Sequence, residues 1–481
     1  MTSVFIANLG VRDVVVDGSV LREPRREGEA LLAAWPKVAS QITLPILEPT
    51  LAYLRDTGRE PDRVVLVTTD QPETTPAVHR SRDTIHYGEI ARRALGRTLK
   101  LGSERIFVRP TRDENPSLYD EMYRFYRRLL GNERDRAFAE ATRCYVSPVG
   151  GTPAANAGLL HAAVERFGAE CLALYLREGT TRPVELDIGR ALHRALLRRA
   201  ALAQIEAYQF VAALPLLREL GLPEPGLALA EYCQRRLNFD FASACRALER
   251  AWAQARPDER RFLDQAMSEA QELDGGADAG LLLVELAENM RVAYQSGAYL
   301  DYLTRLVRFE EAAARLVVEK HLPPLSYLEN DPAAQEERRR QIAEQPDLLE
   351  YLRGIGVGGQ PLRYEQSNTV VLLALVDYVV ADRPGRPAEW TAEPGRRAEL
   401  AGAQEILRWM ERALNRARNA GVHRFGGASA ESIAELYGGV AGQPRDLTKD
   451  VWRVVELVVG PGRREWLVDR ARRWLRGALR E

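Results

Sequence analysis

The stretch RCYVSPVGGTPAANAGLL, residues 143–160, decides the fold. It opens as a short apolar run with the β-branched and aromatic character of a buried strand. Gly150 and Gly151 then permit a tight turn and a close approach to the backbone. Thr152 is a good helix N-cap and Pro153 suits the first helical position. A helix beginning there aims free N–H groups and its positive dipole end at whatever lies beyond the strand, which makes a site for phosphate or another anion. Taken alone, the same letters also suit an ordinary strand-to-helix turn.

The pattern recurs around it. SVFIANL (residues 3–9), RVVLVTT (63–69), RIFVRP (105–110) and CLALYL (171–176) are further strand-like runs, and PVELDI (183–188) is a candidate sixth strand at an edge. Segments of helical spacing separate them, such as SLYDEMYRFYRRLL and AANAGLLHAAVERF. Buried strands alternating with helices predict an α/β, Rossmann-like domain with a parallel, doubly wound sheet. Beyond about Asp187 the strand signals stop and helical patterns run to the end, so an all-α connector and an all-α helical bundle follow. The expected divisions are 1–189, 190–285 and 286–481. The charged run ENDPAAQEERRRQIAEQPD is expected as an exposed helix or loop with a solvated face.

Composition narrows the class. The chain has 481 residues, 46% apolar content and a net charge of −1, so any contact with nucleic acid must use a local patch rather than a global basic excess. Only Lys37, Lys100, Lys320 and Lys449 are lysines; the remaining positive charge is arginine. The four cysteines form no CxxC pair, so no zinc site is implied, and Cys144 and Cys171 fall in apolar strands as buried thiols. The N-terminus lacks the pattern of a signal peptide, and no apolar run reaches the ~18 residues of a membrane span. A reducing cytoplasm fits.

In an open parallel sheet, ligands bind beyond the carboxyl ends of the strands. The candidates there are Asn8, Gly10, Arg12 and Asp13 after the first strand, and Thr68, Thr69, Asp70 and Gln71 after the second. Asn115 and Pro116 follow the third as a second cap and first-position pair. Gly150, Gly151 and Thr152 follow the fourth. The GxGxxG fingerprint and the P-loop are both absent, which disfavours a Rossmann-type oxidoreductase.

VGGTPAANAGLL after a strand, with TTDQ and ENPSLYDEMYRFY upstream, resembles the CARF domain, the Rossmann-like sensor of CRISPR-associated proteins. The resemblance spans roughly residues 1–189. It implies a pocket on a dimer axis that takes a cyclic oligoadenylate, with tetra-adenylate the expected ring. The ligand-binding candidates are then Asn8, Gly10, Arg12, Thr68, Thr69, Gln71, Asn115, Gly150, Gly151 and Thr152.

Near the other end, AGAQEILRWMERALNRARNAGVH carries apolar residues at Ile406, Leu407, Met410, Ala413, Leu414 and Ala417, one stripe of a helix. Arg418 lies at the edge of that stripe, and Gly421 is a plausible stop. In a straight helix Arg418 and His423 would stand about 140° apart; a break near Gly421 would let them share a site. The Arg-x-x-x-x-His spacing, with Asn419 beside the arginine, resembles the motif of HEPN ribonucleases. Together with the first domain it is similar to the layout of the type III CRISPR CARF–HEPN ribonucleases.

That resemblance implies an antiviral endoribonuclease, activated by cyclic oligoadenylate, that cleaves single-stranded RNA without a metal or other cofactor. The catalytic candidates are Arg418, Asn419 and His423. The RNA 2′-hydroxyl attacks phosphorus, leaving a 2′,3′-cyclic phosphate and a 5′-hydroxyl. Histidine suits proton transfer near neutral pH and arginine suits the developing phosphorane charge. A homodimer is expected, since the site needs two copies, and neither membrane nor stable DNA binding is. The alternatives are a ligand-sensing transcription regulator without nuclease activity, and a CARF domain that also degrades its own activator as a ring nuclease. Of the remaining histidines, His79 and His86 fall near the pocket mouth.

Overall fold

A computed structural model of the chain describes residues 2–276, 278–322, 325–381, 393–420, 427–438, 445–461 and 465–480, the side chains of 258 and 417–420 excepted. The chain divides into two compact units, Met1–Arg199 and Ala200–Glu481.

The first unit is built on a six-stranded sheet: β1 (Thr2–Asn8), β2 (Arg63–Thr69), β3 (Ile106–Thr111), β4 (Ala141–Ser147), β5 (Cys171–Tyr175) and β6 (Val184–Leu186), in the order β3-β2-β1-β4-β5-β6. The first five are parallel, and β6 joins the edge antiparallel to β5. This is the doubly wound order, with its switch point between β1 and β4. Register explains why the strands read as continuous apolar runs. Ala7 lies opposite Leu66 on one side and Ser147 on the other. Along β1, Val4 and Ile6 join Val65, Val67, Cys144 and Val146 in one core, while Phe5 and Ala7 join Val64, Leu66 and Tyr145 in another. Both faces are therefore buried, so every residue of β1 from Ser3 to Asn8 is removed from solvent.

Of the helices in this unit, α1 (Pro24–Ala33), α2 (Leu47–Asp56) and α3 (Tyr87–Thr98) precede α4 (Tyr119–Leu130) and α5 (Pro153–Phe167). Leu51, Leu54, Ile90, Ala94 and Leu95 cover the face of Phe5 and Ala7; Met122, Tyr126, Leu130, Leu159 and Ala163 cover that of Val4 and Ile6. Cys144 and Cys171 sit in register on β4 and β5 as buried free thiols, and burial pushes both up, Cys171 to about 12.

Helix α6 (Ile188–Glu206) contains the division between the units. The second unit holds two cores. Helices α7 (Phe210–Glu219), α8 (Glu224–Leu237), α9 (Phe241–Gln254) and α10 (Pro257–Gly275) form one. The other comprises α11 (Ala279–Gln295), α12 (Tyr299–His321), α13 (Pro332–Ala343), α14 (Pro346–Arg353), α15 (Thr369–Val380), α16 (Pro394–Ala420), α17 (Ala430–Gly438) and α18 (Leu447–Val458). The last helix, α19 (Leu467–Ala478), returns to the first of these cores through Leu467, Val468, Ala471 and Leu475. Helix α16 buries Ile406, Leu407, Met410, Ala413 and Leu414, one face of an amphipathic helix.

The two cores are joined by a buried ionic network on α11. Arg236 donates to both oxygens of Glu285, at 2.9 and 2.8 Å, and also to Glu269 and the Tyr232 hydroxyl. The Trp466 indole N–H donates to Glu285 at 2.8 Å. One turn further along, Arg291 pairs with Glu288 and with Asp469 of α19. The run expected to be a solvated charged face holds one exception. Arg338 on α13 is buried, donating to the carbonyls of Ser326, Glu329 and Glu365 and stacking on Tyr327. Its fork satisfies loop carbonyls that no helix or strand would pair.

Removing one partner of a buried pair leaves the other charge without compensation. Arg236→Ala should therefore destabilise the second unit by about 3–5 kcal/mol, whereas the double replacement Arg236→Met with Glu285→Leu should recover only part of that loss, since Glu269 and the Trp466 N–H lose their partners. Urea unfolding followed by tryptophan fluorescence checks both.

Candidate functional site

A cavity of about 890 Å³ lies over the carboxyl ends of β3, β2, β1 and β4. Eight of the ten ligand-binding candidates line it: Asn8, Gly10, Thr68, Thr69, Gln71, Asn115, Gly151 and Thr152. The other two lie elsewhere. Arg12 is exposed and stands 3.9 Å from Glu178, and Gly150 is buried behind the lining.

The floor is set by three glycines at the switch point. A Cβ on Gly10 would overlap the backbone nitrogen of Gly151, and one on Gly150 would overlap the Asn8 carbonyl oxygen. Gly151 has φ of +78°, and a Cβ there would stand 2.9 Å from that of Asn8. Asn8 is buried, and its side chain is committed: it donates to Asn156 of α5 at 2.8 Å and accepts from the Tyr126 hydroxyl of α4. It therefore locks the two helices to the end of β1, facing the cavity with its backbone.

Under the same turn lies Asp13, almost fully buried. Its Oδ2 accepts from the Gly10 N–H at 2.6 Å, and its Oδ1 has no hydrogen-bond partner among the described residues. Burial, opposed by the Gly10 hydrogen bond, pushes the carboxyl up to about 7.

Helix α5 begins as expected. Thr152 caps it, accepting from the Ala155 N–H at 3.1 Å, and Pro153 occupies the first position. Its first turn holds no acidic residue, so its positive dipole end is uncompensated; Pro153 has no N–H and that of Ala155 is taken by Thr152, which leaves Ala154 as the first-turn donor. The expected partner at Asn115 and Pro116 is different. Helix α4 starts only at Tyr119, with Leu118 as an N-cap that makes no side-chain bond. Asn115 instead closes its own turn: its Oδ1 accepts from Ser117 N–H at 3.0 Å, and its N–H donates to Glu121 at 2.7 Å. With Asp120 and Glu121 in its first turn, α4 already has its compensating negative charge.

The lining also includes Arg82, Asp83 and Thr84, which the sequence reading passed over while singling out their neighbours His79 and His86. Of those two, His79 lines the cavity and His86 precedes α3. Asp83 is buried and accepts from Arg25 at 3.1 Å and from Gln71 through both its backbone N–H and its side-chain amide, at 2.9 Å each. Thr84 donates to the Leu9 carbonyl at 2.9 Å and exchanges hydrogen bonds with Thr69 at 3.1 Å. The signal that could have found them is polar residues just ahead of a helix start, where side chains face backbone groups at strand ends. The Thr68 hydroxyl is buried with no partner among the described residues.

Of the catalytic candidates, His423 lies outside the described residues. Arg418 and Asn419 fall on the backbone of α16, and their side chains are likewise outside what is described. Among the described residues no group of His, Cys, Asp or Glu is placed to hold a metal ion, and no helix is long and apolar enough to cross a membrane.

No family model matches the sequence, and no curated protein does. Among solved structures, Enterococcus italicus Csm6 bound to cyclic hexa-2′-fluoro-hexa-dAMP matches with a TM-score of 0.53 at 13% identity. The match covers 99% of this chain and 100% of that one. The chain thus shares that protein's fold along its whole length.

The Asp13 carboxyl supplies a pH signature for the glycine turn. A folded-state value raised from 3.8 to about 7 corresponds to roughly 4 kcal/mol of stability. It is fully present below pH 3.8 and lost as the pH rises through 7. Hydrogen exchange in residues 5–15, corrected for intrinsic rates, should show protection falling from pH 5 to pH 8. Asp13→Asn, which cannot ionise, should flatten that dependence.

Proposed function

We propose that this chain is a ribonuclease of the type III CRISPR CARF–HEPN family, switched on by a cyclic oligoadenylate. The observation that carries the reading is the cavity at the switch point of the sheet, with its glycine turn and acid-free helix N-terminus, in a chain sharing its fold end to end with a cyclic-oligonucleotide-bound protein. A ring of phosphodiesters suits such a floor: the positive end of α5, with the Ala154 N–H, takes phosphate, while the Thr side chains at the end of β2 and Gln71 just beyond it face sugar and base. Tetra-adenylate is the ring expected for this chain, and the ligand of the solved neighbour is a six-membered one.

Residues 1–189 serve as the sensor, 190–285 as the connector and 286–481 as the nuclease. Arg418, Asn419 and His423 supply the chemistry. Histidine moves the proton between the 2′-hydroxyl and the departing 5′-oxygen, and arginine stabilises charge on the pentavalent phosphorus. One histidine cannot serve both faces of the phosphorus, so two copies of the chain complete the site in a homodimer. The products are a 2′,3′-cyclic phosphate and a 5′-hydroxyl, and no metal takes part. The activator must bind the active arrangement more tightly than the inactive one, since only differential affinity shifts such an equilibrium.

The test is cleavage of a fluorescent single-stranded RNA in EDTA, with and without cyclic tetra- or hexa-adenylate. Cleavage should require one of the rings, ignore EDTA and leave 2′,3′-cyclic phosphate ends. His423→Ala should slow it by about 10²–10⁴-fold with activator binding intact. Activator-independent or metal-dependent cleavage, or an unchanged rate in His423→Ala, would sink the proposal.

A further inference from the structure

Resting on the reading of the cavity as an adenine-nucleotide site, we propose that Asp83 fixes the side-chain amide of Gln71 in one orientation, and that Gln71 so held selects 6-aminopurine over 6-oxopurine. Gln71 follows the end of β2 and lines the cavity, half-buried. A side-chain amide left to itself rotates its oxygen and nitrogen to suit either kind of base edge. Here the rotation is blocked. Asp83 Oδ1 accepts from Gln71 Nε2 at 2.9 Å, and Asp83 Oδ2 accepts from the Gln71 backbone N–H at 2.9 Å and from Arg25 at 3.1 Å. A flipped amide would set its oxygen against Asp83 Oδ1, two acceptors face to face.

Asp83 cannot itself move to accommodate such a flip. Its side chain is fully buried, and the Arg25 nitrogen that holds it also pairs with Asp70 at 2.5 Å. Asp83 is thus a positioning residue, and Gln71 the residue that meets the ligand. What Gln71 keeps for the cavity is Oε1, which accepts from no described residue, with its second N–H. That edge is the one by which glutamine reads the N6–H and N7 of adenine. A purine with an oxygen at position 6 would bring its acceptor against Oε1 instead.

The test is titration calorimetry of the full-length protein with cyclic oligoadenylate and with the cyclic oligoinosinate of the same ring size. The wild type should bind the adenylate ring at least about tenfold more tightly. In Asp83→Asn the side-chain oxygen stays with the Gln71 backbone N–H and Arg25, so the new NH2 faces the Gln71 amide and turns it over, and the ratio should fall to one or below. Gln71→Ala, at a half-exposed position, should do the same without disturbing the buried Arg25 cluster. A merely structural role for Asp83 would weaken both rings together and keep their ratio. Equal affinities in the wild type, or a ratio preserved in either variant, would overturn the inference while leaving the activator reading standing. Failure of the wild type to bind either ring would remove both.

Discussion

The close approach of two backbones at the carboxyl ends of β1 and β4 is the constraint on which the first unit depends. Adjacent parallel strands diverge at a switch point because their crossover helices leave to opposite faces of the sheet. The gap that opens there is a cavity only if nothing fills it. A Cβ on Gly10 or Gly150 would collide with backbone and one on Gly151 would crowd the Asn8 side chain, so the turn puts peptide groups at the floor of the cavity. Asp13 beneath the turn and Asn8 beside it hold that floor in place, the first through the Gly10 N–H and the second through α4 and α5.

Charge then decides what the cavity suits. The N-terminal turn of α5 carries no carboxylate, whereas that of α4 carries two. Only the former offers its dipole uncompensated to an anion. Three carboxylates of the rim are engaged: Glu114 pairs with Arg128, Glu121 accepts from the Asn115 N–H, and Asp83 is surrounded by donors, while Asp113 is exposed. The cavity therefore combines one positive helix end with Arg82, Asp113 and a set of neutral polar groups, a mixture appropriate to a ligand of phosphates, sugars and bases.

Much of this was legible in the sequence, for a physical reason. Strands buried on both faces leave continuous apolar runs, and Thr152–Pro153 after paired glycines is a local instruction that needs no tertiary context. Asn115–Pro116 looked like the same instruction and was not. Asn also closes turns through its own side chain, and Glu121, six residues on, takes its N–H. Arg338 was illegible because a run of like residues gives no sign of which one faces inward; its burial is set by carbonyls of a loop more than twenty residues away as well as nearby ones. Asp83 and Thr84 act on strand ends distant in sequence, so their place just ahead of a helix start marks them as polar contacts without saying which strand ends they reach. Asp17–Gly18, by contrast, was a readable hairpin turn that went unread: both residues have positive φ between two short antiparallel strands.

The central claim is that a cyclic oligoadenylate rests on the glycine floor. Gly151→Ala tests it most directly, because the residue lines the cavity, has a positive φ and has Asn8 behind it. Calorimetric titration of this variant with the cyclic tetra- and hexa-adenylates should show affinity reduced by tenfold or more relative to the wild type, with the far-ultraviolet circular dichroism unchanged. Wild-type affinity in a folded Gly151→Ala protein would contradict the account.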